Sequence, residues 1–134
     1  MTTYWDMDGV LANFHKAYAE DKTTALNRNA MANLDPFSAN IATVKALIAA
    51  HEMVYILTKA ANEEGKQGKL DWLAKYIPEL PAENFICIIG KGKKVDFIRE
   101  AGTLIDDDEK NTKQWVAAGY EAITLTTKGE AVTL

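Results

Sequence analysis

The stretch TTYWDMDGVL, residues 2–11, decides the fold of this chain. Its first four residues are β-branched or aromatic and predict a strand that enters a core. Alternate residues of a strand point to the same side, so Asp6 and Asp8 start out aimed at one place, and Gly9 allows a sharp turn. Two carboxylates held together repel each other unless a cation or a proton intervenes. The stretch therefore indicates a divalent metal or phosphate chemistry, with a plain acidic turn as the alternative.

The composition narrows the class of protein. A chain of 134 residues is long enough for one domain, 1–134, with a substantial core. Its net charge of -4 argues against stable nucleic-acid binding, although a small anionic substrate can still meet a locally positive site. The acids near the N-terminus do not suit a signal peptide, and no apolar run reaches membrane-spanning length, so we expect a cytoplasmic protein. The single cysteine, Cys87, lies in an apolar run and is expected to be a buried core thiol.

Short apolar runs alternate with amphipathic stretches along the chain. The predicted strands are 2–5, 53–57, 85–89, 103–105 and 122–125. Several are almost continuously apolar, which is typical of strands covered on both faces. The alternation predicts a Rossmann-like three-layer α/β/α fold with a mainly parallel sheet.

Polar residues, proline and glycine mark the predicted ends of three helices between these strands. We expect Ser38 or Asn40 to cap the first, Pro78 to end the second, and Asn111 and Gly119 to bound the third. The interval 13–37 is too long for a structureless loop, and its segments 14–19 and 25–34 look helical. It predicts a small helical cap insertion that either covers the carboxyl ends of the strands or packs at the sheet edge.

Polar residues follow the predicted strands, and parallel strands bring their ends to one edge of the sheet. Besides the first two acids, the ends carry Thr58 with Lys59, the lysines of 91–94, and the acids of 106–109. Carboxylates of Asp6 and Asp106 suit Mg²⁺, a lysine neutralises phosphate charge, and the Thr58 hydroxyl donates to a phosphate oxygen. One of the first two acids can attack phosphorus while the other handles protons. Taken singly, these residues also fit a turn, a solvated basic loop and an acidic first helical turn.

In this order, the motifs resemble those of the haloacid dehalogenase-like superfamily of phosphohydrolases. The first motif, 6–14, is similar to that of the 5′(3′)-deoxyribonucleotidase branch, and 104–107 with Asn111 and Trp115 resembles the fourth. The resemblance implies that Asp6 is the nucleophile and that Asp8 is the general acid and base. It also implies that Mg²⁺ is bound by the Asp6 carboxylate, the Asp8 carbonyl and Asp106.

The resemblance assigns further residues around that centre. Asp107 would support the metal, and Thr58 would hold the phosphate together with Lys94 or Lys91. Gly9 and Lys59 would neighbour the substrate, and Phe14 would stack on a base, unless it is a core residue of the insertion. The insertion is smaller than the cap typical of that branch. Lys59 and Asp108 also stand where the branch often has a small and a basic residue.

We therefore expect a magnesium-dependent phosphatase for a small phosphomonoester, with a (deoxy)nucleoside monophosphate as the leading substrate. A sugar phosphate or a phosphorylated nucleic-acid end is the alternative, since a small cap leaves the site open. The small cap also makes a homodimer, whose second subunit helps to cover the site, an alternative to a monomer. A receiver-type signalling module fits less well because the third strand ends in Gly90 and Lys91, with no acid. A silent phosphate-binding protein fits less well because both Asp6 and Asp8 are present.

Overall fold

Each strand of the sheet forms from one of the apolar runs, where β-branched and aromatic residues favour extended backbone. The computed structural model describes all 134 residues. The strands are β1 (Thr2–Trp5), β2 (Met53–Ala60), β3 (Phe85–Ile89), β4 (Thr103–Asp106) and β5 (Ala122–Thr124). They pair in parallel throughout, in the order β3-β2-β1-β4-β5. The strand β2 continues three residues beyond its predicted end, so Thr58 and Lys59 lie within it.

Helices cover both faces of this sheet. The α-helices are α1 (Phe14–Glu20), α2 (Arg28–Ala32), α3 (Ser38–Ala49), α4 (Glu63–Tyr76) and α5 (Glu109–Ala117). Short 3₁₀ helices span Thr24–Leu26, Ala82–Asn84 and Lys94–Phe97. The structure thus confirms the predicted three-layer α/β/α class with a parallel sheet.

Neighbouring residues of β1 face the two halves of the core, as the alternation of a strand requires. Trp5 is fully buried in a cluster that includes Val44 of α3 and Trp72 of α4. Tyr4 is fully buried on the opposite face, where its ring meets that of Trp115 from α5 edge-on at 5.1 Å. The two clusters fix β1 at the centre of the sheet and hold the residues that follow it.

The predicted insertion is helical, but it is fastened to α4 along much of its length. A Cβ atom at Gly65 would lie 2.6 Å from the Ala25 carbonyl oxygen, and one at Gly68 would lie 2.5 Å from that of Arg28. Only glycine allows the two backbones to approach this closely. Arg28 also donates two hydrogen bonds to Asp71, at 2.8 and 3.1 Å. The α2 part of the insertion therefore packs on α4.

Two predicted helix caps are wrong. Neither Ser38 nor Asn40 caps α3, which follows Phe37 without a side-chain cap. Asn40 is instead fully buried and donates to the Val10 and Glu130 carbonyl oxygens, at 3.0 and 2.9 Å. The start of α5 lies earlier than predicted, because Asp108 rather than Asn111 is its cap. The predicted ends hold, since α4 stops at Tyr76, before Pro78, and Gly119 follows α5 with φ of +99°.

The burial of Cys87 differs from the prediction. Cys87 lies on the edge strand β3 and is only half-buried, so the expected core burial is wrong in degree. Partial burial still raises the pKa of its thiol.

None of the helices combines the length and the hydrophobicity that crossing a membrane requires.

The topology places the strand-end residues. From β1 the sheet extends through β2 and β3 on one side and through β4 and β5 on the other. Ligands of open α/β sheets bind at the carboxyl ends of the strands where the order reverses, which here is between β1 and β4. Asp6 directly follows β1 and Asp106 ends β4, so both acids stand at this position.

Candidate active site

A polar cleft of about 430 Å³ opens at the carboxyl ends of the strands. The residues predicted for the site that line it are Asp6, Asp8, Phe14, Thr58, Lys59, Lys94 and Asp107. Asp108 and Asn111, which the sequence connected only with the surroundings of the fourth motif, also line it, as do three residues without a predicted role, namely His15, Glu109 and Lys128. Phe14 is the one apolar side chain, so the cleft suits a charged, strongly hydrated ligand.

Three carboxylates cluster at the ends of the two central strands; those of Asp6 and Asp107 line the cleft and that of Asp106 does not. One oxygen from each of Asp6, Asp106 and Asp107 lies within 4.8 Å of the others. The Asp6 amide donates to the Ile105 carbonyl oxygen at 2.9 Å, which joins the ends of the two central strands. Asp106 is fully buried and Asp6 is 8% exposed, so water screens their mutual repulsion poorly.

Lys94 neutralises this cluster. Its side chain is 2% exposed, and its Nζ donates to Asp6 Oδ1 and Asp106 Oδ2, at 2.8 Å each. Burial alone would lower the pKa of this ammonium, but the charges of Asp6 and Asp106 outweigh it and raise the pKa. The 3₁₀ helix that begins at Lys94 turns the side chain inward. Lys91 is exposed and does not line the cleft, so Lys94 is the lysine brought to the site.

Burial also shifts the carboxyl groups. Desolvation raises the pKa of Asp6, against the opposing charge of Lys94. Desolvation and the nearby Asp6 charge raise the pKa of Asp106 from 3.8 to about 6. Asn111 Nδ2 donates to Asp106 Oδ2 at 3.1 Å, and the Asp108 amide donates to Oδ1 at 2.9 Å. These hydrogen bonds fix the orientation of the Asp106 carboxyl group, while its burial makes the charged form energetically unfavourable.

A second ammonium, which sequence reasoning missed, lies below Asp8. Lys69 is 1% exposed, and its Nζ donates to Asp8 Oδ2 and to Thr58 Oγ1, at 2.8 Å each. The other oxygen of Asp8, Oδ1, is buried and has no hydrogen-bond partner. The sequence feature that could have indicated the burial of Lys69 is its helical spacing from Trp72 and Leu73, with which it shares the buried face of α4.

Gly9 is buried and does not line the cleft, so its expected place beside the substrate is not what the structure shows. Its φ is +86°, and a Cβ atom there would lie 2.3 Å from Asp107 Oδ2. Gly9 thus makes room for the Asp107 carboxylate. The same oxygen of Asp107 pairs with Lys128, which arrives from the C-terminal segment and belongs to no recognisable motif.

Phe14 is a core residue of the insertion and also part of the cleft lining, while its stacking on a base stays a prediction. Its ring packs against the core, stacks on Tyr18 with centroids 5.4 Å apart, and also borders the cleft. A side chamber of about 280 Å³ adjoins the cleft through Asp8, Phe14 and Lys59. Small side chains, including Ala60, widen this chamber. The start of α1 thus borders the cleft, and Ala25 and Met31 bring two further parts of the insertion to the side chamber.

The donor set fits Mg²⁺. The cluster offers carboxylate oxygens from Asp6, Asp106 and Asp107, and the Asp8 carbonyl oxygen accepts no hydrogen bond from the protein. Oxygen donors of this kind are the ligands that Mg²⁺ prefers. Asp6 and Asp107 also line the cleft, which gives an ion a route to both.

Comparisons with known proteins do not place the chain in a family, since no family model and no curated protein matches it. A function must therefore be inferred from the order of the motifs and the geometry of the cleft.

Proposed function

We propose that this protein is a magnesium-dependent phosphatase of the haloacid dehalogenase-like superfamily, acting on a small phosphomonoester through an aspartyl-phosphate at Asp6. The observation that carries the proposal is the meeting of four separate strand ends in one cleft. They contribute two acids after β1, Thr58 on β2, Lys94 after β3, and the pair Asp106 and Asp107. A nucleophile, a proton carrier, phosphate donors and metal ligands are the parts that phosphoryl transfer requires.

We assign the role of nucleophile to Asp6. It lies at the end of the central strand, and Lys94 holds its Oδ1 while the residue still borders the cleft. In the first step a carboxylate oxygen of Asp6 bonds to phosphorus as the ester P–O bond breaks. Water then attacks the phosphorus of the aspartyl-phosphate, which frees inorganic phosphate and restores the carboxylate. Bound Mg²⁺ would neutralise charge on the phosphate oxygens during both steps.

We assign the transfer of the proton to Asp8. Its carboxyl group gives a proton to the departing ester oxygen in the first step and takes one from the attacking water in the second. The side chamber begins beside this carboxyl group, so the leaving group has room next to its proton donor. Thr58 and Lys94 face the phosphate from the floor of the cleft.

The substrate that we propose first is a (deoxy)nucleoside monophosphate. The exposed edge of Phe14 offers a flat apolar surface between the cleft and the chamber, and Lys59, which forms no ion pair, stands beside it. Sugar phosphates and phosphorylated nucleic-acid ends form the second candidate class. They are favoured by the fastening of the insertion to α4, which leaves the cleft open to bulky substrates.

The test is phosphate release with Mg²⁺ from mononucleotides, sugar phosphates and 5′- or 3′-phosphorylated oligonucleotides. Asp6→Asn should abolish release, while Asp35→Asn, at an exposed acid outside the cleft, should behave as wild type. Circular dichroism and thermal unfolding show whether both variants fold. Preference for mononucleotides supports the substrate assignment, whereas release only from other esters overturns it and keeps the chemistry. No release from any ester, or full activity of Asp6→Asn, contradicts the proposal.

A further inference from the structure

Lys69 is a buried cation that the proposed chemistry leaves without a role. It projects from α4 beneath the cleft, with 1% of its surface exposed. Burying an ammonium is costly unless it is paired and hydrogen-bonded. An apolar residue at this position, next to Trp72 and Leu73 on the same face, would pack in the core without the free-energy cost of burying a charge. The charge at this position therefore points to a role in the cleft.

The two contacts of Lys69 set the direction of hydrogen bonds in the site. An ammonium only donates, so Thr58 Oγ1 is the acceptor in its 2.8 Å contact with Nζ. The Thr58 O–H finds no acceptor in the protein and remains available to a ligand in the cleft that Thr58 lines. Lys69 also donates to Asp8 Oδ2, and because the other oxygen, Oδ1, has no hydrogen-bond partner, this contact alone fixes the orientation of the Asp8 carboxyl group.

We propose that Lys69 is a positioning residue, which orients the Asp8 carboxyl group toward the leaving group and the Thr58 hydroxyl toward the phosphate. This inference rests on the proposed phosphatase function. It assigns Lys69 no contact with the reacting phosphate: the side chain lines the side chamber, and its ammonium donates to the two side chains that it orients. Removing it should therefore weaken proton transfer to the leaving oxygen more than it weakens substrate binding.

Leaving groups that differ in their need for a proton provide the test. The variant Lys69→Met keeps the length of the side chain and removes its charge. Positioned acids contribute about 10²–10⁴-fold, so kcat/KM for the best alkyl phosphate should fall at least about 100-fold. For p-nitrophenyl phosphate, whose leaving group departs without a proton, the fall should stay below about tenfold. Lys66→Met, one turn earlier on α4 and without an ion pair, is the matched control and should change neither value.

The outcomes separate this inference from the proposed function. If the wild type hydrolyses neither ester, the phosphatase proposal fails before any variant is needed. Equal losses for both esters in a folded Lys69→Met would overturn the positioning role. If that variant does not fold, Lys69→Gln, which keeps a hydrogen-bond donor, is measured in its place with the same two esters. Failure of both variants to fold would make Lys69 a structural residue and would equally overturn the inference.

Discussion

Removing the Lys94 ammonium should expose the electrostatic cost of the carboxylate cluster. In Lys94→Met, Asp6 and Asp106 lose the cation that lies 2.8 Å from each of them. Removing one partner of a buried ion pair costs about 3–5 kcal/mol. The pKa of Asp106 is already raised to about 6, so protonating it at pH 7 costs only about 1.4 kcal/mol, and this limits the penalty. We therefore expect the free energy of unfolding at pH 7 to fall by about 3 kcal/mol.

The same reasoning fixes the pH dependence of the loss. Both carboxyl groups have raised pKa values in the folded protein, so their unfavourable contribution grows as pH rises. At pH 5 Asp106 is mostly protonated, and the loss in Lys94→Met should be smaller by at least about 1 kcal/mol. A domain of 134 residues has a total stability of roughly 7–20 kcal/mol, so the variant should still fold.

Urea unfolding in the presence of EDTA, at pH 5 and pH 7, measures both quantities. The fully buried indoles Trp5, Trp72 and Trp115 provide a fluorescence signal from both core clusters. Lys16→Met is the matched control, because its ion pair with Asp35 is exposed and should contribute less than about 1 kcal/mol. A loss below about 1 kcal/mol in Lys94→Met at pH 7, or an equal loss at both pH values, would refute the reasoning.

Three further predictions concern the surroundings of the cleft. Gly9→Ala should weaken Mg²⁺ binding in calorimetry by about 10- to 100-fold, because the new Cβ displaces the Asp107 carboxylate; unchanged affinity would contradict this. Asn40→Ala should lower the free energy of unfolding in urea by about 2–4 kcal/mol, since the Val10 carbonyl and two backbone groups of the C-terminal segment lose their partner. Without Mg²⁺, the Asp106 carboxyl carbon should titrate in NMR near pH 6 rather than 3.8, and Mg²⁺ should lower that midpoint. A midpoint near 3.8 would refute the argument that burial raises this pKa. Because the folded state holds the Asp106 proton more tightly than the unfolded chain does, the contribution of Asp106 to stability should decrease as pH rises from 3.8 to about 6.

The parts of the fold that depend on local pattern could be predicted. The run that ends at Trp5 is a strand because its side chains are buried on both faces, and the alternation with helices allows little but a parallel sheet. A parallel sheet in turn brings Asp6, Thr58 and Asp106 to one edge. The candidate site was therefore accessible from the sequence wherever its residues directly follow or end a strand.

Residues whose partners are distant in sequence could not be assigned in the same way. Asn40 suggested a local cap, but its partners lie 30 to 92 residues away, and they hold it in the core. Asn111 suggested another cap and instead supports Asp106. Lys128 reaches Asp107 from a segment without a motif. Local spacing gives no information about such pairings, because they are set by how the helices and the C-terminal segment pack on the finished sheet.

Lysines were the hardest residues to place. A lysine is usually taken as a surface residue, yet Lys69 and Lys94 are buried because carboxylates meet their charge. In sequence, Lys94 has the better spacing to Asp106 and Lys91 lies closer to the strand end; the structure buries Lys94 and leaves Lys91 exposed. The spacing of Lys69 with Trp72 on α4 was the one signal that could have indicated its burial.

The most direct test of the phosphatase mechanism is the identification of the covalent intermediate. Wild-type protein is mixed with Mg²⁺ and its best substrate carrying a radiolabelled phosphate, quenched in acid, digested and analysed by mass spectrometry. The mechanism predicts that label appears on the peptide containing Asp6, that Asp6→Asn acquires none, and that the label is lost as free phosphate when turnover continues. Hydrolysis by the wild type without any label on Asp6, or label on another residue, would contradict it.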